Sequence, residues 1–142
     1  YSVAHVRRGD KVKGAWKEGH YHELSEYLKY LDEPYENIFV MTDSPDVANE
    51  AKELGCMIDE TEQRRDGYIY KFYKENCYTE DDIEDELKIF FKNMSIFKGA
   101  NKLVGSNASF YYVLGQLLNG KKGISLSDNI HYSHTLNKHW ND

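Results

Sequence analysis

Residues 38–55 read IFVMTDSPDVANEAKELG, a strand running directly into a capped helix. Ile38-Phe39-Val40-Met41 is the clearest strand signal in the chain, an apolar run bounded by polar residues. It stops at Thr42-Asp43-Ser44-Pro45. There Ser44 suits an N-cap, because its hydroxyl can accept from an otherwise orphaned amide, and Pro45 suits the first turn. Val47, Ala48, Ala51 and Leu54 recur at helical spacing, and Gly55 supplies the stop. A strand feeding a capped helix is the repeating unit of an α/β sheet.

The same alternation extends in both directions. Ser2–Val6 reads as the first strand, followed by a polar loop from Arg7 to about Glu18. Leu24, Tyr27, Leu28 and Leu31 then mark a helix that Glu33-Pro34 ends. Beyond Gly55 comes a short strand, Cys56–Ile58, and then a polar, aromatic stretch from Glu60 to Tyr78 that fits no element. Thr79-Glu80-Asp81-Asp82 opens a helix with acids in its first turn, continued by Ile83, Leu87, Phe90, Phe91, Met94 and Phe97. Lys102–Gly105 reads as a strand, Ser109 precedes a helix ending near Gly120, and Gly123–Leu126 is the last strand. The order predicts an α/β fold, one domain over residues 1–142.

A chain of 142 residues suits one core, and 40% hydrophobic with 14% aromatic content is that of a folded protein despite 30% charged residues. A net charge of -6 argues against coating nucleic acid or an anionic membrane. It leaves anionic small molecules open, because Arg7, Arg8 and Lys11 form a local basic cluster. No apolar run approaches the roughly 20 residues that cross a bilayer, so no membrane contact is expected of this segment. The sequence opens on Tyr1-Ser2-Val3-Ala4, already inside a strand, and is expected to be a piece of a longer protein. Cys56 and Cys77 match no zinc or redox spacing, so pairing and reduced thiols both remain open.

In an open parallel sheet, chemistry gathers at the carboxyl ends of strands. The loops after Val6, Met41 and Val104 carry HVRRGDK, TDSP and GSNAS, all of them polar, small or charged. Arg8-Gly9-Asp10 alone suggests an adhesion ligand, but it follows a buried strand rather than sitting on a flexible loop tip. Two arginines and a lysine on one loop offer donor forks and a compact charge for a diphosphate. The competing reading is a solvated loop with an arginine paired to Asp10, and spacing alone weighs the two evenly. Asp81-Asp82 follows no strand and reads as a helix start, not a metal motif. There is no Walker or GxGxxG sequence. His20 and His22 lack a third nearby ligand for a metal.

The residues also carry a resemblance. HVRRGDK, Glu18 followed by His22 and Glu26-Tyr27, IFVMTDSP, ANKLVGSNAS and SLSDNIHY occur in an order similar to the nucleotide-sugar half of the α1,6-fucosyltransferases, from about Val3 to about Tyr132. HxRRGD is shared with α1,2-fucosyltransferases; Lys11, the Glu/His/Glu-Tyr pattern and SLSDNIHY favour the α1,6 type. The resemblance implies a Rossmann-like donor-binding domain, a parallel sheet with flanking helices, from a GT-B-like enzyme. The implied activity is inverting, metal-independent transfer of fucose from GDP-fucose to a sugar hydroxyl of an oligosaccharide acceptor, with no cofactor.

Carried over by position, Arg7 would grip the β-phosphate, while Arg8 and Asp10 would hold the loop and neighbouring contacts. His5 would lie beside the nucleotide, Lys11 and Tyr27 near the fucose, and Glu18 would be the general base. Catalysis would thus rest on Glu18, Arg7 and Lys11. Asp43 matches the first acid of an Asp-Asp pair, and Ser106 and Ser109 fall on the loop that meets the diphosphate. The roles are chemically coherent: a carboxylate can take the acceptor's proton, and Arg7 with backbone donors of residues 105–109 can stabilise the leaving diphosphate without a divalent ion.

Three departures stand out. Ser44 replaces the second acid; Asn93 stands where the family has an acid facing guanine, and an amide is not a charged bidentate acceptor. The loop before Glu18 is longer than usual, which makes Glu23 the competing carboxylate. These departures keep alive a non-catalytic nucleotide-sugar or glycan-binding domain beside the α1,2-type alternative. Asn93-Met94-Ser95 and Asn107-Ala108-Ser109 are glycosylation sequons, and a glycan on Asn107 would occupy the donor pocket. That favours a cytoplasmic enzyme, with the Golgi lumen open to a longer chain carrying an anchor.

Overall fold

The computed structural model describes residues 1–8, 22–59, 79–107 and 109–126. Four strands form one parallel sheet: β1 (Ser2–Val6), β2 (Ile38–Thr42), β3 (Leu103–Gly105) and β4 (Ile124–Ser125), in the order β2-β1-β3-β4. β1 is central, with Ala4 opposite Val40 on one side and Val104 on the other. The helices are α1 (Leu24–Leu31), α2 (Pro45–Leu54), α3 (Glu80–Gly99) and α4 (Phe110–Asn119).

Alternation along the strands divides the core in two, because successive side chains of a strand point to opposite faces. Ala4, Val6, Ile38, Val40 and Val104 pack with Leu24 and Leu28 of α1 and Val47 and Ala51 of α2. Val3, Met41 and Leu103 pack on the other face with Met94 and Phe97 of α3 and Tyr112 of α4. The sheet is therefore helix-covered on both faces, as an all-parallel sheet requires.

The helix ends follow local chemistry. Ser44 caps α2 by accepting from the Val47 amide, Pro45 opens the helix, and Gly55 closes it at φ 89°, returning its N–H to the carbonyls of Ala51 and Lys52. α1 stops earlier than the Glu33-Pro34 signal suggested, because Asp32 already adopts a left-handed conformation at φ 49°. The expected strand Cys56–Ile58 is reduced to one bridge. Only Met57 exchanges hydrogen bonds with β2, accepting from Val40 N at 2.9 Å and donating to Ile38 O at 2.8 Å. Past Ile58, the carboxylate of Asp59 pairs with Lys92 of α3. Among the described residues no helix is long and apolar enough to cross a membrane.

The strand order decides where a ligand belongs. From β1 the chain crosses to β2 on one side, and the later strands β3 and β4 lie on the other, so the direction of winding reverses between β1 and β3. Crevices in open α/β sheets form at such a reversal, outside the carboxyl ends of the two strands.

Candidate functional site

Two arginines follow the carboxyl end of β1 and one carboxylate at the end of β2 clasps both. Asp43 Oδ1 accepts from the Arg8 backbone N–H at 2.8 Å, while its Oδ2 lies 3.4 Å from Arg7 Nε. Thr42 fixes the same junction, donating to Val6 O at 2.6 Å and accepting from Ser44 N at 3.1 Å. Asp10, weighed above as an arginine's partner, lies outside the described residues; among those described, Asp43 pairs with the arginines across the sheet.

The two arginines diverge in role. Arg7 is 21% exposed at the rim. Arg8 is buried and sends Nη2 to the carbonyl of His22, tying the segment before α1 to the end of β1. Arg8 and Asp43 therefore act as loop supports in this arrangement, and Arg7 is the guanidinium at the solvent edge.

On the far side of the reversal lies the β3–α4 junction. Ser109 occupies the N-cap position of α4 but makes no side-chain capping bond; its N–H donates to Ser106 O at 2.9 Å. The junction is held from beneath by buried amides. Gln116 donates to Asn107 Oδ1 at 2.9 Å and accepts from Gly123 N at 2.8 Å, while Asn107 N donates to Ser125 Oγ at 3.0 Å. This clamp was not anticipated. Its one sequence signal was Gln116, a long polar residue on the buried face of the otherwise apolar helix FYYVLGQLLN.

Between the two loops stands His5. Its ring stacks on Tyr111 at 5.7 Å and on Tyr112 at 6.1 Å, with Phe97 tilted at 5.9 Å. Burial, with a smaller contribution from the Arg7 charge, pushes its pKa down to about 3. The imidazole is therefore neutral at ordinary pH, and its Nδ1 is buried without a hydrogen-bond partner. Asn93 joins the same stack from α3, donating to Tyr111 Oη at 2.9 Å while its Oδ1 stays unpartnered and buried. His5, Asn93, Ser106 and Ser109 thus fall on one side of the sheet, beside the reversal.

No family model, no curated protein and no solved structure matches this chain. The site consequently rests on its own geometry and on the sequence resemblance.

The remaining expected residues divide as follows. Asp10, Lys11 and Glu18 lie outside the described residues, as do His20, Cys77 and most of SLSDNIHY. Glu23 is exposed at the N-cap of α1. Tyr27 is buried on the core face of α1 with Leu24, Leu28 and Leu31, and its ring meets His22 edge-on at 6.3 Å. His22 Nδ1 lies 3.0 Å from Glu26 Oε2. Ser44 is spent on capping α2. Cys56 is a free, buried thiol whose pKa burial raises. Among the described residues no group of three or more His, Cys, Asp or Glu is placed to hold a metal ion. A depression of about 460 Å³ lined by Leu28, Lys29, Asp32, Glu33, Pro34 and Tyr35 lies at the other rim, where Ser2 at the start of β1 donates to Glu33. It sets one lysine against the carboxylates of Asp32 and Glu33, so the carboxyl rim remains the better candidate for an anion.

Both sequon asparagines are buried, Asn93 behind Tyr111 and Asn107 in the Gln116 clamp. A glycan on either nitrogen would have to displace these contacts. Directed into a eukaryotic secretory pathway, the folded protein should therefore carry no glycan at either sequon, and endoglycosidase treatment should leave its gel mobility unchanged. A folded, secreted species modified at Asn107 would contradict the placement.

Proposed function

We propose that this chain is the donor-binding, catalytic portion of a GT-B-like, GDP-fucose-dependent glycosyltransferase of the α1,6 type, inverting and metal-independent. The observation that carries the reading is Arg7, braced by Asp43 at the carboxyl end of the central strand, beside the β3–α4 junction where the sheet reverses. A guanidinium has five N–H donors, so an ion pair through Nε is compatible with a second, forked contact to a phosphate. The start of α4 adds the partial positive charge of a helix N-terminus. Guanosine and fucose come from the resemblance, which supplies what an anion site alone does not specify.

In this mechanism the acceptor hydroxyl oxygen attacks the anomeric carbon as the bond to the diphosphate breaks. Glu18 takes the hydroxyl proton, and GDP leaves with the bonding electrons. Arg7 and the first-turn amides of α4 meet the charge that develops on the leaving oxygen. Arg8, Asp43 and Thr42 hold Arg7 so that little reorganisation is needed when that charge appears.

A second reading has its own observation. Ser44, at the position of the family's second acid, is committed to capping α2, so no carboxylate faces the site there. That favours a domain that binds a nucleotide sugar without turning it over. Calorimetry with GDP, GDP-fucose, GDP-mannose and a UDP-sugar tests the common core of both. Arg7→Ala should weaken GDP binding about 10- to 100-fold, the range expected for a charged hydrogen-bonding pair. Undiminished GDP binding by that variant would sink the site. Transfer from GDP-fucose by the full-length protein, lost in Glu18→Gln, selects the enzyme; binding without turnover selects the second reading. The product's linkage separates the α1,6 from the α1,2 type.

A further inference from the structure

Asn119-Gly120 is the one Asn-Gly pair in the chain. In an unfolded peptide such a pair deamidates more readily than other asparagine sites, because glycine has no Cβ to shield its nitrogen and turns without steric cost. Here it joins the last residue of α4 to the cap of that helix, Gly120, which is left-handed at φ 80°.

The fold holds both reacting groups. The nucleophile would be the Gly120 nitrogen, which attacks only after giving up its proton, and that N–H is donated to Gln116 O at 3.0 Å. The electrophile would be Asn119 Cγ. Its Nδ2 donates to the carbonyls of Phe97 at 2.7 Å, Ala100 at 3.0 Å and Lys98 at 3.3 Å, around the end of α3. One carboxamide thereby serves carbonyls that a helix terminus leaves without an intrahelical partner. Three surrounding acceptors fix this atom as the nitrogen, and Oδ1 is buried with no hydrogen-bond partner.

We propose that Asn119-Gly120 is a deamidation site that the native α3–α4 contact keeps closed and that opening of this contact makes reactive. Once the last turn of α4 unwinds, the Gly120 nitrogen attacks Asn119 Cγ and Nδ2 leaves as ammonia, closing a five-membered succinimide. The proton shed by the attacking nitrogen is matched by the one the departing Nδ2 takes up. Water then adds to one of the two ring carbonyls and opens the ring to aspartate or isoaspartate. Neither product can restore the contact. A carboxylate oxygen stands where the donor stood, an acceptor among three acceptors at the negative end of the α3 dipole. Isoaspartate also inserts a methylene into the backbone before Gly120. Each opening that reacts is therefore lost to the native population. The inference does not depend on the fucosyltransferase reading.

Incubation at mildly alkaline pH, with and without denaturing urea, tests the site by mass spectrometry of the tryptic peptide 103–121. Fragmentation separates Asn119 from Asn107 within that peptide. Asn119 should deamidate on the order of a hundredfold or more faster in urea than in the native protein, the protection that a cooperative opening provides. Gly120→Asn, a residue that a left-handed cap tolerates, should suppress the reaction in urea, where folding plays no part. On dilution from urea, chains modified at Asn119 should be depleted from the refolded fraction, and Asn119→Asp should melt below the parent protein or fail to fold. Equal rates with and without urea would overturn the closed site. Undiminished reaction in Gly120→Asn would overturn the route through the Gly120 nitrogen. Modified chains that refold to the parent's Tm would overturn the irreversible loss.

Discussion

Replacing His5 with phenylalanine should flatten the acid side of the stability curve. His5 is neutral in the folded protein, with its pKa lowered from the ordinary 6.5 to about 3 by burial and, secondarily, by Arg7. The unfolded chain takes up this proton near pH 6.5; the folded chain resists until about pH 3. Between those values the unfolded state binds more protons, so the group's contribution to stability is complete above pH 6.5 and is lost as the pH falls. The slope is about 1.4 kcal/mol per pH unit, which amounts to roughly 2–3 kcal/mol by two units below the unfolded pKa. Phenylalanine keeps a ring in the stack with Tyr111, Tyr112 and Phe97 and removes the unpartnered Nδ1. Urea unfolding should show the two proteins within about 1 kcal/mol at pH 7, with the variant ahead by about 2–3 kcal/mol near pH 4.5. Other titrating groups are common to both and cancel in the difference. Parallel curves would show that His5 is protonated normally in the folded state.

What the sequence disclosed is what local chemistry controls. Ser44, Pro45 and Gly55 bound α2 because an N-cap, a first-turn proline and a left-handed glycine need no distant partner. β1, β2 and β3 were legible because each is an apolar run ending in a polar loop, and a parallel arrangement places those ends on one rim. Pairing across the sheet was not legible. Cys56–Ile58 is apolar enough for a strand, yet strand formation depends on a neighbour, and only Met57 finds one. Likewise the contact of Asp43 with Arg7 and Arg8 could not be read from spacing, because these residues are distant along the chain and adjacent only across β1 and β2. The depressed pKa of His5 escaped for the same reason: the rings that enclose it come from α3 and α4.

Gly105→Ala should be strongly destabilising, although it adds a single methyl group near the site. A Cβ on Gly105 would stand 2.5–2.7 Å from three carbons of the Tyr112 ring, closer than real Cβ contacts approach. Neither side can yield easily. Tyr112 is fully buried, anchored by its hydroxyl to Ile124 O at 2.8 Å and packed against His5 and Phe97. Gly105 is fixed in β3, opposite Ser125 of β4, and its carbonyl accepts from Leu126 N. Overpacking of this kind costs about 1–3 kcal/mol or more, and the rigid surroundings put this case at the upper end, about 3 kcal/mol. For a domain of this size that corresponds to a fall in Tm of roughly 10 °C. The loss should be coupled to the ring: Tyr112→Leu alone is destabilising, but Gly105→Ala in that background should cost at least about 1 kcal/mol less than in the parent protein. The same clash bears on the site, because Tyr112 follows Tyr111 in the first turn of α4, under the junction that carries Ser106 and Ser109. A Gly105→Ala protein that remains folded at low temperature should therefore also bind GDP more weakly than the parent. Additive effects in the double-mutant cycle would mean that the glycine is required for a reason other than the approach of this ring.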